Sequence, residues 1–214
     1  MRVGILGSGP VGQTLGRGFA EHHHDVMLGS RTPDRPELQK WKQTAGGKVS
    51  LGTFADAARH GELVVICSLG TAALEVLDHA RPANLRGKVL IDTTNALDLS
   101  KGMPPGLFTG PADSLGERIQ KKLPQAKVVK CFNIVPNPVM THPTISGDRP
   151  TMMIAGNDRA AKEQVIAVLR EFGWSGAIDL GGIEEARWLE ALVPLWVRVA
   201  VQLDNSNIAF KVLQ

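Results

Sequence analysis

The sequence predicts an α/β fold: a doubly wound, mostly parallel sheet with a C-terminal βαβα extension ending in a long helix. Three observations carry this. Strand-length apolar runs alternate with segments of helical spacing, with a period of about 25 residues. Leu63-Val64-Val65-Ile66-Cys67 is apolar without a break, the mark of a strand covered on both faces. A glycine-rich turn, Gly7-Ser8-Gly9-Pro10-Val11-Gly12, stands between the first strand and the first helix.

Each element has its own signal. Residues 3–6 form a short apolar strand, and Val11, Leu15 and Phe19 give helical spacing from the turn to residue 20. A second strand covers 25–29. A helix over 36–44 and a strand over 48–51 follow with weaker patterning. The helix over 54–60 has Thr53 as its cap, with Asp56 three residues on. Next come a strand over 63–67, a helix over 72–80 and a buried strand over 88–92. A loop over 97–113, rich in Gly, Pro and Ser, reads as a mobile flap over a site. A helix over 115–123 and a strand over 127–133 complete the first unit. The extension has a strand over 151–155, a helix over 159–172, a strand over 177–180 and a helix over 183–203. Residues 1–145 are therefore expected to bind a dinucleotide, and 146–214 to form an extension packed into the same globular unit.

Composition narrows the function. With 43% hydrophobic and 21% charged residues the 214-residue chain is not a disordered one. The net charge of +3 is thin, and without a Lys/Arg cluster it points away from nucleic acid. The longest apolar stretch, 189–203, is interrupted by Pro194 and Arg198 and falls short of a span of about 20 residues, so no membrane partner is expected. Cys67 and Cys131 form no CxxC pair and read as two reduced core thiols of a cytoplasmic protein. The run His22-His23-His24 reads as a solvated turn, because three consecutive side chains cannot easily converge on one metal. His142 reads as a surface-loop residue, and no metal site is expected.

The glycine turn carries the most weight. In the Rossmann-type arrangement Gly7 allows the tight turn, Gly9 admits a pyrophosphate to the backbone, and Gly12 lets the helix pack on the strand. The helix N-terminus then binds the diphosphate. An NAD binder places a carboxylate after the second strand, whereas this chain has Gly29-Ser30-Arg31-Thr32, with Arg35 close by. Ser30 and Arg31 suit a 2′-phosphate, and one charge-assisted bond corresponds to about 10- to 100-fold preference. NADP(H) is the expected cofactor. Further ligand positions lie past the later strands: Ser68-Leu69-Gly70, Thr94-Asn95-Ala96 and Phe132-Asn133-Ile134-Val135-Pro136. Asn95 and Asn133 suggest hydrogen bonds to ribose or carboxamide. The chain has no Tyr and no evident general acid or base, so no catalytic side chain is named; this favours hydride exchange between two rings, which needs positioning above all.

The strings GILGSGPVGQTLGRGF, VMLGSR, VVKCFNIVP and IDLGGIEEARWLEALVPL, in that order, resemble the NADP oxidoreductase, coenzyme F420-dependent family, and are similar to the cytosolic reductase domains of the STEAP ferric reductases. The resemblance implies hydride transfer between NADPH and a deazaflavin (F420) or a flavin (FMN or FAD), a small-molecule acceptor, and a homodimer. It implies Ser8, Gly9, Pro10 and Val11 at the diphosphate, Ser30, Arg31 and Arg35 at the 2′-phosphate, and Ser68 and Leu69 beside the nicotinamide. Asn133 and the Val135-Pro136 turn would border the second ring. Gly181-Gly182 and the long helix would help build the acceptor pocket and the dimer contact. Cys131 and the tail over 203–211 depart from the family's wording. Two other functions stay open: reduction of an imine or keto acid, and a non-catalytic NADP(H)-sensing module whose partner surface includes Trp188 and Trp196.

Overall fold

In the computed structural model, which describes residues 1–213, eight strands form one sheet flanked by helices on both faces. The chain runs β1 (Arg2–Leu6), α1 (Pro10–Glu21), β2 (Asp25–Gly29), α2 (Pro36–Thr44), β3 (Lys48–Gly52), α3 (Phe54–His60), β4 (Leu63–Ile66), α4 (Ala73–Ala80) and β5 (Val89–Asp92). A small hairpin, β6 (Leu97–Asp98) with β7 (Gly106–Leu107), precedes α5 (Leu115–Lys122) and β8 (Lys127–Lys130). Then come β9 (Met153–Gly156), α6 (Arg159–Glu171), β10 (Ile178–Asp179) and α7 (Ala186–Gln202).

The strand order is β10-β9-β8-β5-β4-β1-β2-β3, parallel at every pair except β8 with β9. Side-chain alternation explains the two layers. Val3 and Ile5 of β1 pack with Leu15 and Phe19 of α1 and Trp41 of α2, while Leu6 belongs with Ala57 of α3 and Leu77 of α4. Every residue of β4 and of β5 is buried between the two helical layers, including the charged Asp92 that ends β5. The helix starts follow local chemistry: Thr53 and Asp56 form the expected capping box on α3, and Asp158 Oδ1 accepts from Ala161 N at 2.8 Å on α6.

Several expectations need correction. The strand expected over 127–133 stops at Lys130, because Phe132 adopts φ 67° and turns the chain out of the ladder. The last helix starts at Ala186, after a 3-10 turn over Ile183–Glu185. The segment 97–113, expected as a mobile flap over a site, carries the β6–β7 hairpin, with Phe108 N donating to Ala96 O (2.9 Å) and Arg198 Nη1 to Pro105 O (3.1 Å). His22 and His23 are exposed, but His24 is buried, its Nε2 2.8 Å from Glu171 Oε2. Among the described residues no helix is long and apolar enough to cross a membrane.

Candidate functional site

Two adjoining cavities open along the carboxyl edge of the central strands, where β1, β4 and β5 hand over to their loops. The smaller, of about 370 Å³, follows the glycine turn and is lined by Gly7, Ser8, Gly9, Pro10 and Val11, with Ser30, Arg31, Thr32 and Arg35. Here the chain turns at Gly7 with φ 144°, and Pro10 opens α1. Gly9 is the N-cap and supplies no side-chain cap, and no acidic residue stands in the first turn of α1, so no carboxylate competes for its amides. A Cβ on Gly12 would lie 2.0 Å from Gly7 O, whereas one on Gly9 would meet nothing within 4 Å. Packing within the chain thus requires glycine at position 12, and the open space over Gly9 is a cradle that a side chain would fill. That cradle fits a diphosphate.

At the end of β2 the polar groups converge. Ser8 Oγ donates to Ser30 Oγ and Arg35 Nη2 donates to Ser8 Oγ, both at 3.2 Å, while Thr32 N donates to Ser30 Oγ at 3.2 Å. Ser30 is buried; Arg31 and Arg35 are exposed, and neither is ion-paired among the described residues. Two unneutralised guanidinium groups beside a buried hydroxyl can take a phosphate in bidentate fashion. Phe54 and Val76 supply an apolar wall opposite.

The larger cavity, of about 750 Å³, is floored by Thr93, Thr94 and Asn95 after β5 and walled by Ser68, Leu69 and Gly70 after β4. Leu97 to Ser100 and Phe108 of the hairpin, with Leu115 and Arg118 of α5, close the remaining side. Val11, Cys67, Ser68 and Leu69 line both cavities, so the two form one elongated site. Leu69, at this junction, is 77% exposed, an apolar side chain offered to whatever fills the site.

The charged groups of the larger cavity are quiet ones. Burial pushes the Cys67 thiol up to about 12, so it stays protonated. The Ser100 hydroxyl and amide hold the Asp98 carboxyl below its usual range, the amide at 2.8 Å. The Arg118 guanidinium pairs with Asp113 and stacks 5.6 Å over the Phe108 ring.

Of the positions expected from the sequence, Gly7, Ser8, Gly9, Pro10, Val11, Ser30, Arg31, Arg35, Ser68, Leu69 and Asn95 line this site, and Gly12 packs beneath it. Asn133, Val135 and Pro136 are not among the lining residues. Asn133 is buried directly behind Asn95, donating from Nδ2 to Asn95 Oδ1 at 2.8 Å and to Leu189 O at 3.0 Å; Asn95 Nδ2 returns a bond to Asn133 O at 3.1 Å. It supports the cavity and does not face it.

Sequence reasoning missed a buried ion cluster. Lys130, Asp92 and Glu190 are 0%, 0% and 1% exposed, with Lys130 Nζ 2.7 Å from Asp92 Oδ2 and 2.8 Å from Glu190 Oε1. Burial pulls the ammonium's pKa down, but the two carboxylates outweigh it and leave Lys130 above the ordinary lysine value. A signal was present: Asp92 and Lys130 end neighbouring strands and stand opposite each other in the parallel register.

Comparisons with known proteins agree with this fold. The profile of the family described as "NADP oxidoreductase coenzyme F420-dependent" matches residues 2–96. A protein provisionally described as an F420-dependent NADP reductase, from Arthrobacter sp. FB24, has a solved structure 38% identical in sequence, with a TM-score of 0.94 and 100% of each chain covered. The F420-dependent NADP reductase of Methanocaldococcus jannaschii is 25% identical over 225 residues, covering 99% of this chain and 98% of its own. Metalloreductase STEAP3 of Rattus norvegicus is 28% identical over 91% of this chain, which spans 38% of that longer protein. A reductive aminase from Aspergillus terreus, solved with NADPH, shares the fold alone, at 19% identity and a TM-score of 0.66. With a full-length relative at 38% identity and the glycine turn of the matched segment in place, the chain belongs to the coenzyme F420-dependent NADP oxidoreductase family and is an NADP-dependent reductase.

Proposed function

We propose that this protein passes hydride between NADP(H) and a deazaflavin or flavin ring, with the dinucleotide lying from the smaller cavity into the larger. The observation that carries the reading is the continuity of the two cavities through Val11, Cys67, Ser68 and Leu69. It provides one diphosphate cradle leading into one apolar chamber with room for a second ring. When bound, NADPH supplies the hydride from its nicotinamide. The chain's part is placement: Gly9 and the α1 amides hold the diphosphate, Arg31 and Arg35 take the 2′-phosphate, and Ser68 and Leu69 flank the ring. Asn95, fixed by Asn133, offers its amide at the cavity floor, while Phe108 and Leu97 exclude water from above.

The chamber's titratable groups favour this chemistry over one that needs an acid. Cys67 stays protonated at neutral pH, Asp98 stays ionised and Arg118 is paired. The outward side of α7 exposes Trp188 and Leu195, which supports a second copy of the chain as the covering partner. The protein is then a cytoplasmic homodimer paired through α7. Anaerobic NADPH oxidation with F420, FMN and FAD offered separately tests the function. Rapid bleaching of one acceptor is expected. NADPH binding without turnover on any of them defeats the ring-acceptor reading and leaves an imine or keto-acid substrate, or a sensing role.

A further inference from the structure

The Lys130–Asp92–Glu190 cluster takes no part in the chemistry proposed above, yet withdrawing three ions from water costs several kcal/mol per ion before their attraction is counted. Its contacts explain where that cost is directed. Lys130 Nζ donates to Thr94 O at 2.8 Å as well as meeting both carboxylates. Asp92 Oδ1 accepts from Thr94 N at 2.9 Å and from Thr94 Oγ1 at 2.7 Å. Glu190, on α7, accepts from Leu115 N and Gly116 N, both at 2.9 Å, at the start of α5. Thr94 and Leu115 are a floor residue and a wall residue of the larger cavity.

The sheet's own ladder stops just short of this point. Its last bonds around β5 run from Cys131 N to Asp92 O at 3.0 Å and from Thr93 N to Ile66 O at 3.1 Å. Beyond them no strand bonds the floor among the described residues, and the ammonium is what holds the Thr94 carbonyl. Packing leaves little slack: a Cβ on Gly70 would lie 1.9 Å from Asn95 O, and one on Gly116 would lie 2.9 Å from Ala186 Cβ and 3.3 Å from Lys130 Cε.

We propose that Lys130 is a positioning residue for the redox cavity: by gripping Thr94 directly and α5 through Glu190, it sets the separation between the floor and the wall where the two rings meet. The proposal rests on the NADP(H) reading of the site. It differs from a purely structural role, because apolar or neutral isosteres can replace a buried ion cluster without loss of stability but cannot direct a carbonyl.

The test compares the wild type with the neutral triple variant Lys130→Met/Asp92→Asn/Glu190→Gln, which removes every charge at nearly constant volume. Two ligands are titrated, NADPH and 2′,5′-ADP, the latter filling only the adenosine half. Thermal stability is followed in parallel. Expected are an unchanged 2′,5′-ADP affinity, a loss of about 10-fold in NADPH affinity relative to it, and a kcat lower by about 10- to 100-fold, since small misplacements are amplified in hydride distance. If the triple variant does not fold, Glu190→Gln alone is expected to move the same ratio in the same direction by less. An NADPH to 2′,5′-ADP ratio and kcat both at wild-type values in a folded variant overturn the proposal. Failure of the wild type to bind NADPH at all defeats the cofactor reading instead, and failure only to turn over defeats the acceptor reading while the binding ratio still reports on Lys130.

Discussion

Ser8 and Ser30 hold their hydroxyl oxygens 3.2 Å apart, joining the turn after β1 to the turn after β2 across 22 residues of chain. Arg35 reaches into the same junction and bonds Ser8 Oγ at 3.2 Å. The glycine turn and the cationic strand end are therefore one surface, and a ligand held by the first is presented to the second. Arg31 lines that surface with no ion-pair partner among the described residues, which leaves its charge free for the proposed 2′-phosphate.

Replacing Arg31 by Ala is expected to weaken NADPH about 10- to 100-fold and to leave NADH nearly unchanged. Ser30→Asp should go further and invert the preference, because a buried carboxylate there repels a 2′-phosphate. Fluorescence titration with both nucleotides measures this. Equal losses for NADPH and NADH on Arg31→Ala mean that the 2′-phosphate sits elsewhere.

Two glycines of one turn should fail in different ways. Gly12→Ala forces a methyl to 2.0 Å from Gly7 O and 3.0 Å from Cys67 Sγ, and backbone cannot yield there cheaply. A destabilisation of about 1–3 kcal/mol or more is expected, seen as a lower urea midpoint. Gly9→Ala meets nothing within 4 Å and keeps an ordinary φ of −76°, so it should fold normally. Its methyl would enter the space proposed for the diphosphate, and NADPH affinity should drop at least about 10-fold. Normal NADPH binding by Gly9→Ala would contradict the cradle.

The elements legible in the sequence were those whose cause is local. The unbroken run of β4, the Thr53–Asp56 cap and the glycine turn each depend on neighbours within a few residues. What was hidden depends on distant partners. The antiparallel direction of β9 against β8 leaves no trace in either strand's pattern. His24 is buried because Glu171, 147 residues away, receives its ring nitrogen. Lys130 is buried only because Asp92 of the neighbouring strand and Glu190 of α7 close around it. Asn133 was expected to face the ligand from its place at the carboxyl end of the strand and from the family resemblance. The ladder ends earlier, and the side chain turns back onto Asn95.

That reciprocal pair makes a prediction of its own. Asn133→Ala strips a donor from Asn95 Oδ1 and from Leu189 O in a buried setting. The unfolding free energy should fall by about 1–3 kcal/mol. Asn95, left with only its bond to the backbone carbonyl of residue 133, should raise the KM for the acceptor more than that for NADPH. An unchanged acceptor KM would show that Asn95 needs no support from behind.

The start of α5 should respond to acid. Arg187 Nε donates to Glu117 Oε2 at 2.8 Å, and this bond, aided by Ser114, holds the Glu117 carboxyl below its usual value of 4.5. A carboxylate with a depressed folded-state pKa stabilises the native state above its unfolded value, and that contribution disappears as the pH falls through the folded value. The Glu117–Arg187 contribution is therefore complete at neutral pH and lost progressively on acidification below 4.5. Arg187→Met should lower the urea midpoint at pH 7, and the gap from wild type should close as the pH drops toward 3. Because Leu115 and Arg118 of the same helix wall the larger cavity, turnover should become more acid-sensitive in the wild type than NADPH binding at the distant glycine turn. A gap in midpoint that stays constant from pH 7 to pH 3 would show that the pair carries no proton-linked stability.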